Sequence, residues 1–241
     1  MFVYGNQKSG TSAIAGLLGA YANLSVTIDL PREIREQLIP DIFTGRGRLE
    51  TLLRHNRAGF GSHIVKHPNL ALLHSHLVAR FPAARHVFVV RRPPQNIRSI
   101  LDRLGLAGDL VAVSPDDWER MPRPWQSILQ GQPVPPERLD GLDYVEILAE
   151  RWNLFTDCYL EDREQITLVR YEDFVADKSA VIGRLAAAVG LAPRADISEL
   201  LAHQYQPAGV NRDRSPESFF GSARLERIEA ICGPRMRVLG Y

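Results

Sequence analysis

The chain has 241 residues, 45% of them hydrophobic and 24% charged, with a formal net charge of +1. That length supports one sizeable core, and the even charge balance calls for neither a nucleic acid nor an anionic membrane surface as partner. Cys158 and Cys232 lie far apart without metal-ligand spacing, which argues against a disulfide framework and suits a reducing, cytoplasmic setting.

Phe2 to Tyr4 is a short apolar run followed by a glycine-containing turn, and Thr11 to Tyr21 reads as a helix. The stretch from Lys8 through the small, apolar run Ala13 to Ala22 imitates a signal peptide but is read as the first helix of the fold. No stretch approaches 18 consecutive apolar residues, so no membrane span is expected. Ser62 to Lys66 is the next strand, stopped by Pro68, and Asn69 to Arg80 carries Leu70, Leu73, Leu77 and Val78 at helical spacing. Arg85 to Val90 is the strongest strand signal, a β-branched run suited to burial on both faces. Pro93 and Pro94 then open a helix reaching about Leu104.

Residues 105–141 are proline-rich and predict short helices and loops, an insertion over the site within a single domain spanning 1–241. Leu142 to Glu161 is a long amphipathic helix, and Ile166 to Val169 a last core strand. Lys178 to Val189 is a helix closed by Gly190, and a terminal helix ends near Cys232-Gly233. Strands alternating with helices at this spacing predict an α/β fold with a mainly parallel sheet flanked by helices. Trp118, Trp125 and Trp152 are expected mainly as core aromatics.

Two segments carry chemistry. The first is Gly5-Asn6-Gln7-Lys8-Ser9-Gly10-Thr11-Ser12, between a strand and a helix. At such a turn the backbone N–H groups and the helix dipole favour an anion, and Gly10 allows close approach to a phosphate. Lys8 can bring an ammonium to a transferring or bridging oxygen, while Thr11 and Ser12 offer hydroxyls. In the nucleoside-triphosphate loop the lysine follows the second glycine. Here Lys8 precedes Gly10 by two residues, which disfavours a kinase.

The second segment is Arg91 to Ser99, directly after the best strand. An arginine at a strand's carboxyl end faces the crevice where α/β folds bind ligands. Ser99 lies eight residues on, two turns along the next helix. The pair suits one phosphate, with a bidentate guanidinium and one hydroxyl.

These segments resemble the PAPS-dependent sulfotransferase family, bacterial members included. Lys8-Ser9-Gly10-Thr11-Ser12 is similar to that family's Lys-Ser-Gly-Thr-Thr loop, which holds the 5′-phosphosulfate of 3′-phosphoadenylyl sulfate, with Gln7 where a proline is usual. Arg91, Pro93 and Ser99 match its second motif, whose arginine and serine bind the 3′-phosphate, with Arg92 in place of an acidic residue. Tyr171-Glu172-Asp173-Phe174 resembles a further family segment, and so does the stretch from Ile231 to Tyr241. Arg212 and Arg214 fall where the family has a basic loop closing over the 3′-phosphate, without its Arg-Lys-Gly pattern.

The resemblance implies a P-loop-like three-layer fold and sulfuryl transfer from PAPS, as co-substrate and without a metal, to a hydroxyl or amine of a small molecule or carbohydrate. It leaves the acceptor and oligomeric state open. The general base is His67, at the end of the second strand in Lys66-His67-Pro68, or Glu33, downstream of the first helix. The family's usual Lys-Thr-His has one more residue between the two. The rival readings are a P-loop nucleotide-dependent kinase and a non-catalytic nucleotide-binding protein.

Overall fold

A computed structural model of the chain describes residues 1–110, 112–206, 209–211 and 213–241. Among the described residues the strands are β1 (Phe2–Tyr4), β2 (Val26–Ile28), β3 (Ile64–Lys66), β4 (His86–Val90) and β5 (Ile166–Arg170). They form one sheet in the order β2-β3-β1-β4-β5, and every pairing is parallel. The helices before β4 are α1 (Thr11–Ala22), α2 (Pro31–Glu36), α3 (Leu38–Phe43), α4 (Leu49–His55), α5 (Arg57–Phe60) and α6 (His74–Arg80). Those after it are α7 (Pro93–Leu104), α8 (Pro115–Arg120), α9 (Arg123–Leu129), α10 (Tyr144–Glu161), α11 (Tyr171–Ala176), α12 (Lys178–Ala188), α13 (Pro216–Phe220) and α14 (Ser222–Val238). The expected α/β class with a parallel sheet is what the chain forms.

The chain divides into two compact units. The first, Met1–Arg91 with Cys158–Pro207, holds the sheet. All five residues of β4 are buried, as a strand covered on both faces requires. On one face Val3, Val87, Val89 and Val169 pack with Ile14 and Leu18 of α1 and Ile182 and Leu185 of α12. Each such fully buried aliphatic side chain contributes roughly 1.5–3 kcal/mol.

The opposite face is aromatic. Phe2 meets Phe60, Phe81 and His86, and Phe88 stacks on Tyr159 at 5.2 Å. A polar cluster is set among these rings: the Tyr4 hydroxyl lies 2.8 Å from His74 Nδ1 and 3.1 Å from His86 Nδ1. The chain runs from central β1 to the β2 edge, returns through β3, then crosses to β4 and β5. Direction reverses at β1, so the carboxyl ends of β1, β3 and β4 border the crevice that open parallel sheets use for ligands.

The second unit, Arg92–Asp157 with Ala208–Tyr241, is helical. Trp152 is buried in it, while Trp118 and Trp125 are half-buried. Arg151 is buried with its guanidinium 4.6 Å from the Phe155 ring centre, and it donates to the Gln132 carbonyl. The 105–141 segment contributes the expected short helices, α8 and α9.

Three elements differ from expectation. The 69–80 helix splits into a 3-10 stretch (Pro68–Leu73) and α6. The edge strand β2 is an addition, and α2 to α5 fill the interval before β3. The terminal helix does not stop at Gly233; it passes Pro234 and reaches Val238. Proline removes one helical hydrogen bond there. The next residue, Arg235, is clamped to Asp157 of α10 through Nε (2.7 Å) and Nη2 (2.8 Å), a bidentate charge-assisted pair that anchors the last turns.

Candidate active site

The turn after β1 is shaped by its backbone. A Cβ on Gly5 would stand 2.1 Å from the Val89 carbonyl oxygen, so only glycine fits where the turn leaves the sheet beside β4. Lys8 has φ 65°, uncommon for a residue with a side chain, and Gly10 has φ 93° as it enters α1. A Cβ on Gly10 would stand 2.4 Å from the Tyr171 ring. The turn is thus pressed between β4 and Tyr171, and α1 starts with Thr11 and Ser12 buried. N–H groups of a first helical turn have no intrahelical acceptor and carry the positive end of the dipole.

Lys8 Nζ donates to Gln206 Oε1 at 2.8 Å, and Gln206 Nε2 approaches Ser12 Oγ at 3.5 Å. Gln7 Nε2 donates to Asn69 Oδ1 at 2.6 Å, which ties this turn to the segment that follows His67. The Gln7 side chain therefore has a structural use here.

Arg91 directly follows β4 and leans back on the same turn. Its Nη1 donates to the Lys8 carbonyl at 3.1 Å, and its guanidinium lies 4.5 Å over the Tyr171 ring. The two chemistry-bearing segments of the sequence thus meet through Lys8 and Arg91. Ser99 is half-buried on α7 in the second unit. Arg214, in the same unit, is exposed, folds its guanidinium onto the Ser218 carbonyl and lies 5.6 Å from the Phe219 ring centre. Arg212 falls outside the described residues.

A second group stands at the ends of β2 and β3. Lys66 is only 2% exposed, and its Nζ donates to Asp29 Oδ1 at 2.8 Å. His67 Nδ1 lies 3.4 Å from the same carboxylate oxygen and 3.4 Å from the Leu30 amide. For Asp29 burial acts upward, but the His67 hydrogen bond and the Lys66 charge outweigh it and hold the carboxyl down at about 2. For Lys66 burial wins and lowers the ammonium, against the attraction of Asp29. The 2.8 Å contact and the 29% exposure of the Asp29 side chain favour the ion pair. Burial also lowers His67, opposed by Asp29, so its imidazole is neutral near pH 7.

Glu33 is not a solvated helix-start carboxylate. It is 1% exposed, and its two oxygens accept from the amides of Leu38 (2.9 Å) and Ile39 (3.1 Å), capping α3. Burial pushes its carboxyl up to about 7 against those two amides. Glu33 thus caps α3 and, with a further lone pair on each oxygen, stays alongside His67 as a candidate base. Asp29 is inconspicuous in the sequence because the strand before it, Val26-Thr27-Ile28, is too short and too exposed to announce itself.

Neither a protein-family model nor a curated protein sequence matches the chain. Among solved structures it is similar to a sulfotransferase from Alicyclobacillus acidocaldarius, with 17% identity, a TM-score of 0.49, and coverage of 95% of this chain and 94% of that one. Among the described residues no helix is long and apolar enough to cross a membrane.

Proposed function

We propose that the chain is a PAPS-dependent sulfotransferase acting on a hydroxyl or amine of a small molecule or carbohydrate. The observation that carries the proposal lies within the first unit, where Arg91, the arginine of the second motif, donates to the carbonyl of Lys8 in the first. The turn from Ser9 to Ser12 cradles the 5′-phosphosulfate, and Lys8 neutralises charge on the bridging oxygen. Arg91 holds the 3′-phosphate; Ser99 joins it on the strength of the sequence pattern alone, and Arg212 and Arg214 are further candidates on the same footing.

Sulfuryl transfer resembles phosphoryl transfer physically, with attacking and leaving oxygens in line and the protein supplying position and charge. The acceptor's proton passes to His67, its oxygen bonds to sulfur, and the bond from sulfur to the 5′-phosphate oxygen breaks. The products are a sulfated acceptor and adenosine 3′,5′-bisphosphate. The proposed setting is cytoplasmic. The test is transfer of radiolabelled sulfate from PAPS across a panel of alcohols, phenols, sugars and amines. Labelled product with the wild type and none with Lys8→Ala supports the assignment; no product across the panel, with ATP-dependent phosphorylation instead, overturns it.

A further inference from the structure

Resting on that reading of His67 as the base, we propose that Asp29 is the positioning residue of the site, holding the His67 ring so that Nε2 is the proton acceptor. Asp29 follows β2 with φ 63°, and its amide donates to the Lys66 carbonyl at 2.8 Å. That bond continues the parallel β2–β3 ladder one residue past the strand and sets the Asp29 side chain beside Lys66 and His67. One carboxylate oxygen then serves both neighbours, at 2.8 Å from Lys66 Nζ and 3.4 Å from His67 Nδ1.

His67 Nδ1 has two possible partners at equal distance. If it accepts from the Leu30 amide at 3.4 Å, the ring proton sits on Nε2, which is then a donor and no base. If it donates toward Asp29, Nε2 carries the lone pair. A hydrogen bond between neutral groups is weak at 3.4 Å, whereas attraction to a full charge falls off slowly with distance. In the first tautomer the Nδ1 lone pair also faces a carboxylate oxygen; in the second Nδ1–H faces the Leu30 N–H, a repulsion of two partial charges that attraction to the full carboxylate charge outweighs. The charge therefore selects the Nδ1–H tautomer, as a buried carboxylate does for the histidine of hydrolytic triads.

Lys66 completes the arrangement. Its ammonium balances the carboxylate, so Asp29 orients His67 without drawing a proton onto it at rest. When His67 takes the acceptor's proton on Nε2, the resulting imidazolium already has its Nδ1–H directed at Asp29. Asp29 itself touches no reacting atom.

Asp29→Asn is the variant of choice, because asparagine matches the shape and tolerates the left-handed backbone. The first readout needs no substrate: ¹⁵N NMR of the histidine ring nitrogens, with the His67 signals assigned by their loss in His67→Gln. The wild type should show His67 with Nδ1 protonated and Nε2 bare, and Asp29→Asn should move the proton to Nε2. The second readout is steady-state transfer, where Asp29→Asn should lower kcat about 100-fold with KM for PAPS unchanged within about twofold. A wild-type His67 protonated on Nε2 overturns the proposal, as does an Asp29→Asn protein with unchanged tautomer and kcat. The expected tautomers without any sulfuryl transfer would leave the orienting role standing and remove the sulfotransferase reading instead.

Discussion

Two lysines stand at the ends of neighbouring strands and are used in opposite ways. Lys66, ending β3, is turned into the protein and lies against the Asp29 carboxylate. Lys8, just past β1, is half-buried on a left-handed turn and reaches the side-chain amide of Gln206. A cation against a carboxylate spends its charge inside the fold. A cation at the mouth of a helix N-terminus, beside a neutral amide, is where the proposed function puts an incoming anion. On the proposed function, the same residue type separates into an internal role and a ligand-facing one.

The largest expected effect separates the two by function. Lys8→Ala should lower kcat for sulfuryl transfer by about 10²- to 10³-fold, the range for losing one preorganised group from a developing charge. Its thermal midpoint should stay within a few degrees of wild type. Lys66→Met should do the reverse in folding terms. It strands Asp29 in a half-buried site and should remove about 2–3 kcal/mol of stability in urea titration, below the full range for a buried pair because Asp29 keeps some contact with water. Equal losses of stability in the two variants would erase the distinction.

Gly10→Ala sharpens the comparison on the Lys8 side. The substitution meets both a positive φ and the Tyr171 ring, so it should cost about 1–3 kcal/mol and loosen the turn. Tyr171→Ala added to Gly10→Ala should recover part of that loss, because it removes the clash while the backbone strain remains. Additivity of the two changes in a double-mutant cycle would contradict the packing described.

The smallest effect concerns the aromatic face behind the site. Burial holds His86 down to about 4, with His74 and the N-terminal ammonium adding, and burial lowers His74 as well, against Asp162. Between about pH 6.5 and 4 the unfolded chain binds protons that the folded cluster refuses. These histidines are therefore harmless above pH 6.5 and lower stability as pH falls through that window. Glu33, raised to about 7, acts with the opposite sign in part of the same range. The comparison to make is thus wild type against His86→Phe, whose stability should fall less steeply on acidification, by about 2 kcal/mol across the window. Parallel curves for the two proteins would show that His86 protonates inside the fold as readily as outside it.

Much of this architecture is legible in the sequence, for identifiable reasons. Arg85 to Val90 reads as a strand because a parallel strand buried on both faces leaves a continuous β-branched run. The Pro93 start and Gly105 stop of α7 are chemical marks that survive without an alignment. The Lys8 turn and Arg91 are found because glycines and charges at a strand end are conspicuous.

What stays hidden depends on distant partners. β2 is three residues long, partly exposed, and borrows its register from β3. Glu33 looks like any helix-start carboxylate until the amides of Leu38 and Ile39 are folded against it. Asp29 acquires meaning only when β2 lies beside β3 and brings it to Lys66 and His67. The stop expected at Gly233 fails because Asp157, far away in sequence, anchors Arg235.

The most direct test of the central claim is calorimetric titration with adenosine 3′,5′-bisphosphate beside ADP, on wild type and Arg91→Ala, with circular dichroism verifying that both are folded. Binding should be about micromolar or tighter, prefer the 3′-phosphate and weaken about 10- to 100-fold in Arg91→Ala, the loss of charge-assisted hydrogen bonds worth about 1.5–3 kcal/mol. No binding, or a preference for ADP that is indifferent to Arg91, would contradict the claim.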